Sequence, residues 1–376
     1  MARVPRIRLE NSRGERVCLQ NTSILPADTP ADITLDLGDA EITTGLINAH
    51  DHLHRNHFPR LGRPPYRNAY EWGNDIHRLD ADRIANARRL PRRDALLFGA
   101  LKNLLSGVTL VVHHDAWEFD FHDDFPIRVA RVPHAHSLGL EYDRVVGSSE
   151  GSPLWLHLAE GTDSISAYEI HELAETGRLD SQLVAVHVVG ADARGIKLLH
   201  AARAAVVWCP SSNLYLYGQT APAALLAGDI DLMVGSDALV SADGTLLDEL
   251  RLARSLCVLD DARLIAAVTD VPARRLNVTR VLTPDAPADL VAFRRPVLEA
   301  GVADVALVMI DGEPRVADLE FADGFAACGI RAQTIGCGET RKLVAEPLAQ
   351  AWQRAIETGA EPERIFGAAR VVHGEA

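Results

Sequence analysis

Lysine is almost missing from this chain of 376 residues: Lys102, Lys197 and Lys342 are the only three. Basic charge as a whole is in deficit, with 38 Lys and Arg against 52 Asp and Glu and a formal net charge of −14. Neutralising a phosphate backbone requires basic surface, so the balance argues against nucleic acid as a partner. No apolar run reaches the ~18 residues that would suggest a membrane span. The opening M-A-R-V-P-R-I-R-L-E has no apolar core of a secretory signal. The cysteines (Cys18, Cys209, Cys257, Cys328 and Cys337) are odd in number and scattered, with no C-x-x-C pair. That pattern argues against a disulfide framework or zinc knuckle and makes a reducing cytoplasm the expected location. What remains, 47% hydrophobic and 24% charged residues, is the composition of a soluble globular enzyme. The length allows one large domain and a smaller one.

The most informative segment is G-L-I-N-A-H-D-H, in which an apolar run ends at His50, Asp51 and His52. Side chains alternate faces along a strand, so the i, i+2 spacing aims both imidazoles to one side. Two neutral imidazoles converging at a strand end form a chelate for a divalent ion, with zinc the usual occupant. Taken alone the pair is a weak signal, because histidines two apart also serve as surface or hydrogen-bonded core residues.

Short strand-like runs occupy the first forty-odd residues, and a second such block runs from Ala288 to Val316. Together they predict a small β-sandwich built from both chain ends, residues 1–45 plus 286–325. Between them lie buried-looking runs: Thr109 to His114, Ile127 to Val132, Leu154 to Leu158, Leu183 to Val188, Ala205 to Cys209 and Asp231 to Asp237. They alternate with amphipathic stretches, which predicts parallel strands and helices across residues 46–285. Thr245, with Asp248 three residues on, predicts a helix start. His50, His52, His114, His157, His187 and Asp237 all sit at C-terminal ends of these runs, where α/β barrels build their sites. The fold expected is α/β, a distorted TIM-type (β/α)8 barrel with an open doubly wound sheet as the alternative. The tail, residues 326–376, reads as a helical extension.

Four further features follow in order: L-H-L-A-E with His157 and Glu160, V-A-V-H with His187, W-C-P-S-S-N-L with Asn213, and V-G-S-D with Asp237. With the H-x-H, this ordered set resembles the amidohydrolase superfamily, in its deaminase and triazine-hydrolase branch (guanine deaminase, S-adenosylhomocysteine deaminase and relatives). The resemblance covers most of the chain, since D-A-P-A-D-L-V and L-V-M-I-D-G are similar to that branch's sandwich strands. It implies one metal per chain, Zn²⁺ with Fe²⁺ or Mn²⁺ as alternatives, held by His50, His52, His157 and Asp237. It further implies Glu160 as a non-ligating general acid/base, Asp237 as acceptor of a water proton, and His187 as a contact to substrate or water. The reaction implied is hydrolytic deamination of an amino-substituted heterocycle or amidine carbon of a small molecule. A homo-oligomer stays open, and Asn213 receives no role.

Three departures from the branch stand out. Trp208 occupies a position where the branch often has histidine. Only about forty residues separate His114 from Leu154, whereas two strand–helix units need more than ~50. Truncation is therefore expected between Asp115 and Pro153: fewer than eight regular repeats, one strand at Ile127 to Val132, no helix in H-A-H-S-L-G-L-E-Y-D, and a loop wall bringing His134 and His136 to the substrate. Finally, His54, His57, His113 and His114 crowd the same rim, where outer support or substrate contact is expected rather than ligation. His113 and His114 point to opposite faces, so at most one faces the pocket. The long loop after the first strand carries Phe58, Tyr66, Tyr70, Trp72, Arg55, Arg60, Arg63 and Arg67, which suit either a flat or anionic substrate or simple packing. The main rival activity is hydrolysis of a cyclic amide. Its binuclear forms need a bridging lysine at the end of the fourth strand, and none of the three lysines fits. A catalytically dead relative serving as an interaction protein is the reading from another class.

Overall fold

The computed structural model describes residues 5–122, 124–147, 151 and 153–366. Five strands open the chain: β1 (Ile7–Glu10), β2 (Arg16–Gln20), β3 (Ser23–Leu25), β4 (Ile33–Asp36) and β5 (Glu41–Thr43). The first four form one sheet in the order β3-β2-β1-β4. Strand β5 joins a second sheet supplied from the other end of the chain, described below.

The strand carrying the H-x-H, β6 (Leu46–Asp51), begins the barrel and is buried along its whole length. Buried on both faces, it reads as a continuous apolar run rather than an alternating one. Seven more parallel strands follow: β7 (Val108–His113), β8 (Arg128–Ala130), β9 (His134–Ala135), β10 (Leu154–Leu158), β11 (Leu183–His187), β12 (Ala205–Trp208) and β13 (Leu232–Val234). They pair as β6-β7-β8 and as β13-β12-β11-β10-β9. The two arcs are drawn together where the Asp237 amide donates to the His50 carbonyl at 3.0 Å.

Helices back this ring unevenly. Between β6 and β7 run α1 (Ala69–Leu79), α2 (Ala81–Ala87) and α3 (Arg92–Leu104). Later connections carry α4 (Tyr142–Val146), α5 (Ser164–Glu175), α6 (Ala193–Ala202), α7 (Pro210–Tyr217) and α8 (Ala223–Leu226), and α9 (Leu246–Ser255) follows β13. Asp248 accepts the Thr245 amide hydrogen at 2.7 Å and caps α9. Among the described residues no helix lies between β7 and β9. The stretch from Asp115 to Pro153 thus keeps its strands and loses helices, and two expectations for it need correction. It holds a second strand, the two-residue β9, which pairs Trp155 with His134 and Leu156 with Ala135. It also holds a short helix, α4, starting inside H-A-H-S-L-G-L-E-Y-D. Most of the following G-S-S-E-G-S-P lies outside the described residues.

The second sheet has the order β17-β18-β16-β15-β14-β5, where β14 is Leu290–Phe293, β15 Val305–Ile310, β16 Glu313–Ala317, β17 Ala332–Cys337 and β18 Thr340–Ala345. The tail is therefore not helical from residue 326: two strands precede the helix Glu346–Glu357. The β17–β18 hairpin escaped the sequence reading because its outward face is exposed and polar, leaving little apolar alternation.

Helix α3 presses against the chain just beyond the H-x-H. A Cβ built on Gly99 would lie 2.2 Å from the Leu53 carbonyl oxygen, so only glycine permits this approach. Gly99→Ala should lose about 1–3 kcal/mol in urea unfolding through overpacking. Gly73→Ala, on α1 with nothing within 4 Å of its Cβ, should be neutral or up to about 1 kcal/mol more stable. Equal stabilities for the two variants would refute the close-approach account.

Candidate active site

His50 is fully buried, and neither of its ring nitrogens has a hydrogen-bond partner. Its Nε2 lies 3.7 Å from Asp237 Oδ1, and His52 Nε2 lies 3.9 Å from the same oxygen. Both distances exceed a hydrogen bond. Donors held ~2.1 Å from one tetrahedral ion sit about 3.4 Å apart, so these separations suit ligands around a shared centre. His157, near the end of β10, is 5.0 Å from His50 and 5.5 Å from His52 by ring centroids, and its buried Nε2 is also unpartnered. Ligand atoms of His50, His187 and Asp237 lie within 4.8 Å of one another, as do those of His50, His114 and His157 and those of His157, Glu160 and His187. His52 belongs to none of these triads and reaches the cluster through Asp237.

Burial keeps His50 and His157 neutral: it pushes His50 down to about 3 and His157 well below its ordinary value. Burial would raise the Asp237 carboxyl, but the neighbouring imidazoles, His50 foremost, hold it well below the usual carboxylate range. Neutral imidazoles with open lone pairs around an ionised carboxylate form the donor set that zinc and similar ions take. Leaving several buried ring nitrogens unpaired costs about 1–3 kcal/mol each, so the cluster fits a divalent ion.

Outer partners aim these side chains. The His52 Nδ1–H donates to Asp115 Oδ2 at 2.6 Å, which turns its Nε2 inward. His187 Nδ1 faces Asn213 Oδ1 at 2.9 Å, so Asn213 orients that ring. Trp208, in place of the branch's histidine, donates its indole N–H to Thr220 Oγ1 at 2.6 Å. His187, Val188 and Asp237 have φ of 74°, 51° and 50°, left-handed conformations that side chains rarely adopt. Such strain gathers at functional sites, where the surroundings enforce it.

Glu160 sits over the cluster, 3.8 Å from both His157 Nδ1 and His187 Nε2. Burial raises its carboxyl, against the opposing pull of His187 and a hydrogen bond from Tyr217. That bond, Tyr217 O–H to Glu160 Oε1 at 2.8 Å, was not foreseen from sequence, because Tyr217 lies 57 residues further along.

A cavity of about 350 Å³ opens above these groups, lined by His52, His157, Glu160, His187 and Asp237 together with Tyr70 and Trp72. The loop after β6 divides. Tyr70, Trp72 and Arg55 face the cavity, whereas Arg60, Arg63 and Arg67 pair with Asp243, Asp80 and Glu71 and fasten the loop. His136 lines the cavity and lies 3.3 Å from Asp115. His134 does not: it borders a separate groove with Trp117 and Arg131, which corrects its expected substrate contact. His54 and His57 line a neighbouring chamber. His113 turns away toward His54 and Phe121, while His114 turns in and stacks on His157 at 4.3 Å.

Behind this cluster lies a fully buried cation. Lys102 Nζ donates to the Asp237 carbonyl at 2.6 Å and to Asn56 Oδ1 at 2.8 Å, and lies 3.2 Å from Asp51 Oδ2. Asp51, between the two histidines of the H-x-H, also accepts from Asn56 at 2.8 Å and Asn103 at 2.7 Å. Breaking a buried pair by removing one partner typically costs 3–5 kcal/mol. Lys102→Met should therefore destabilise the protein by about 3–5 kcal/mol in urea titration, because Asp51 stays buried and charged. The double variant with Asp51→Asn should lose less than the two single losses combined. A Lys102→Met protein as stable as its parent would remove the pair as an anchor.

Residues 146–315 match the amidohydrolase family, a span that includes His157, Glu160, His187 and Asp237. A 5-methylthioadenosine/S-adenosylhomocysteine deaminase of Moorella thermoacetica is 27% identical over 267 residues, 57% of this chain and 61% of that protein. The Pelotomaculum thermopropionicum protein of the same name is 28% identical over 218 residues, 48% and 50% respectively. The aligned region thus spans about half to three fifths of these relatives' length. Among solved structures, a zinc-bound adenosine deaminase from Xanthomonas campestris superposes with TM-score 0.61 at 20% identity, covering 93% of this chain and 98% of that one. A triazine hydrolase variant gives 0.63 at 18%, covering 86% and 99%. The chain is thus similar to the amidohydrolase family over residues 146–315, and to proteins named as deaminases and triazine hydrolases.

Proposed function

We propose that this protein is a mononuclear, zinc-dependent hydrolase that deaminates an amino-substituted heterocycle or amidine carbon of a small molecule. The observation that carries the reading is the placing of Glu160. It stands within 4 Å of two imidazoles, is held by Tyr217 and opens onto the cavity, yet need not ligate. The ligands would be His50, His52, His157 and Asp237. When bound, the ion supplies Lewis acidity and a water that ionises near neutral pH. Asp237 accepts the water proton and keeps the nucleophile in line. Glu160 protonates a ring nitrogen as the carbon becomes tetrahedral, then passes a proton to the departing ammonia, so that water and a C–NH₂ become a C=O and NH₃. His187 Nε2 faces the same space and would steady the charge that develops there. Tyr70 and Trp72 on the cavity wall suit a flat ring. The match of relatives named as deaminases supports this choice.

Hydrolysis of a cyclic amide on the same residues is the second reading. It is favoured only in a mononuclear form, because no lysine is available to bridge two metals: Lys102 is committed to Asp51, Lys342 to Asp318, and Lys197 is exposed on α6. Ammonia release measured across purines, pyrimidines, triazines and small lactams separates the readings. Ring opening without ammonia would replace the first with the second.

Elemental analysis should return about one divalent ion per chain, from four ligands and no bridging lysine. Two tightly held metals, both needed for turnover, would overturn the mononuclear assignment. Glu160→Gln should keep the metal and lose about 10²–10⁴-fold in turnover, because the amide cannot shuttle a proton. A metal-free Glu160→Gln protein would make Glu160 a ligand instead. Asp237→Ala should lose metal and turnover together.

A further inference from the structure

We infer that His114 is a further ligand of the metal, binding through Nδ1, an assignment that rests on the metal-hydrolase reading above. His114 follows β7 directly, and its amide donates to the Asp51 carbonyl at 2.9 Å, which locks it in register beside the H-x-H. Its ring is fully buried, 4.9 Å from His50 and 4.3 Å from His157 by centroids. Its ligand atom lies within 4.8 Å of those of both histidines.

The hydrogen-bond inventory narrows the role. A neutral imidazole carries one N–H, and in His114 it is spent on the Ala135 carbonyl, 2.9 Å from Nε2. Nδ1 therefore presents a lone pair, and it is buried without a partner. Such an acceptor is costly to leave empty, and it needs either a cation or a donor. Substrate is poorly placed to supply the donor. The cavity is lined by His52, His157 and His187 but by neither His50 nor His114, which both lie behind its wall. His114 thus shares the position of His50, within the cluster and away from the surface substrate reaches. The Ala135 carbonyl belongs to β9, so that two-residue strand is what aims the ring. Of the remaining rim histidines, His113 Nδ1 accepts the Leu53 amide at 3.2 Å and His54 takes a contact from Arg55 at 3.4 Å, while His57, with Nε2 3.0 Å from the Ala87 carbonyl and Nδ1 buried without a partner, lines the neighbouring chamber instead of the cluster.

The test uses the full chain loaded with ¹¹³Cd and labelled with ¹⁵N-histidine, in which each ligating nitrogen couples to the metal. Four coupled imidazoles are expected, one of them at Nδ1, and that signal should vanish in His114→Asn. Three coupled imidazoles, none assignable to His114, would overturn the proposal and leave the metal reading intact. No coupling and no metal uptake would overturn the metal reading itself. In parallel, chelator competition should show zinc held at least about tenfold more weakly by His114→Asn, since even outer partners of ligands are worth 10–100-fold. Unchanged affinity in a variant that melts like the parent apo protein would also overturn the assignment. Should His114→Asn fail to fold, the coupling count on the unsubstituted protein decides alone.

Discussion

The Lys102–Asp51 pair is the interaction on which the site depends. It is a donor-only cation against an acceptor-only carboxylate in a dry interior, so the direction of every hydrogen bond around it is fixed. Asn56 must turn its oxygen to Lys102 and its amide to Asp51, and Asn103 must give its amide to Asp51. Asn48 then gives its amide to Asn103 and Ser236 and leaves its oxygen for the Ser236 N–H at 3.1 Å. Three pieces of chain far apart in sequence (the end of β6, helix α3 and the turn after β13) are pinned to one another by this network. His50 and Asp237 ride on two of them. A fully satisfied buried network of this kind specifies one arrangement more firmly than apolar packing does.

The same economy explains the use of lysine. Two of the three, Lys102 and Lys342, are buried and paired with aspartates, Lys342 to Asp318 at 2.6 Å. Surface cation duty falls to arginine, whose planar fork pairs bidentately, as between Arg354 and Asp94 at 2.6 Å for each contact. A compact ammonium is suited to the interior role, where it must satisfy a carbonyl, an amide oxygen and a carboxylate at once.

Much of the site was legible because its residues stand at strand ends, where an apolar run stopping at a polar residue is visible in one dimension. H-x-H, L-H-L-A-E, V-A-V-H and V-G-S-D are such endings. The supporting residues were not legible, because their meaning lies in three dimensions. Asp115 looks like any loop aspartate until His52 is found 2.6 Å away, and Tyr217 looks like a helix-end aromatic until it meets Glu160. Lys102 carried only a negative message in sequence, as a lysine in the wrong place to bridge metals. Strand β9 was invisible for another reason: two residues, His134 and Ala135, have no periodicity, and their strand character comes from pairing with β10. The β17–β18 hairpin failed on polarity, since a sheet edge with one exposed face need not look apolar.

The second sheet closes across the full length of the chain. Strand β5 pairs with β14, Thr43 opposite Val291, a separation of roughly 250 residues. On a ribosome that adds residues from the N-terminus, β5 must wait with an unpaired edge while the entire barrel is synthesised. Such distant pairing is slow to form, since the loop entropy is spent before the contact repays it. The H-x-H strand begins three residues after β5, so the chain enters it from a strand whose partner lies in the last third of the sequence. Any centre built on His50 and His52 therefore sits next to a strand whose pairing is made late in chain order.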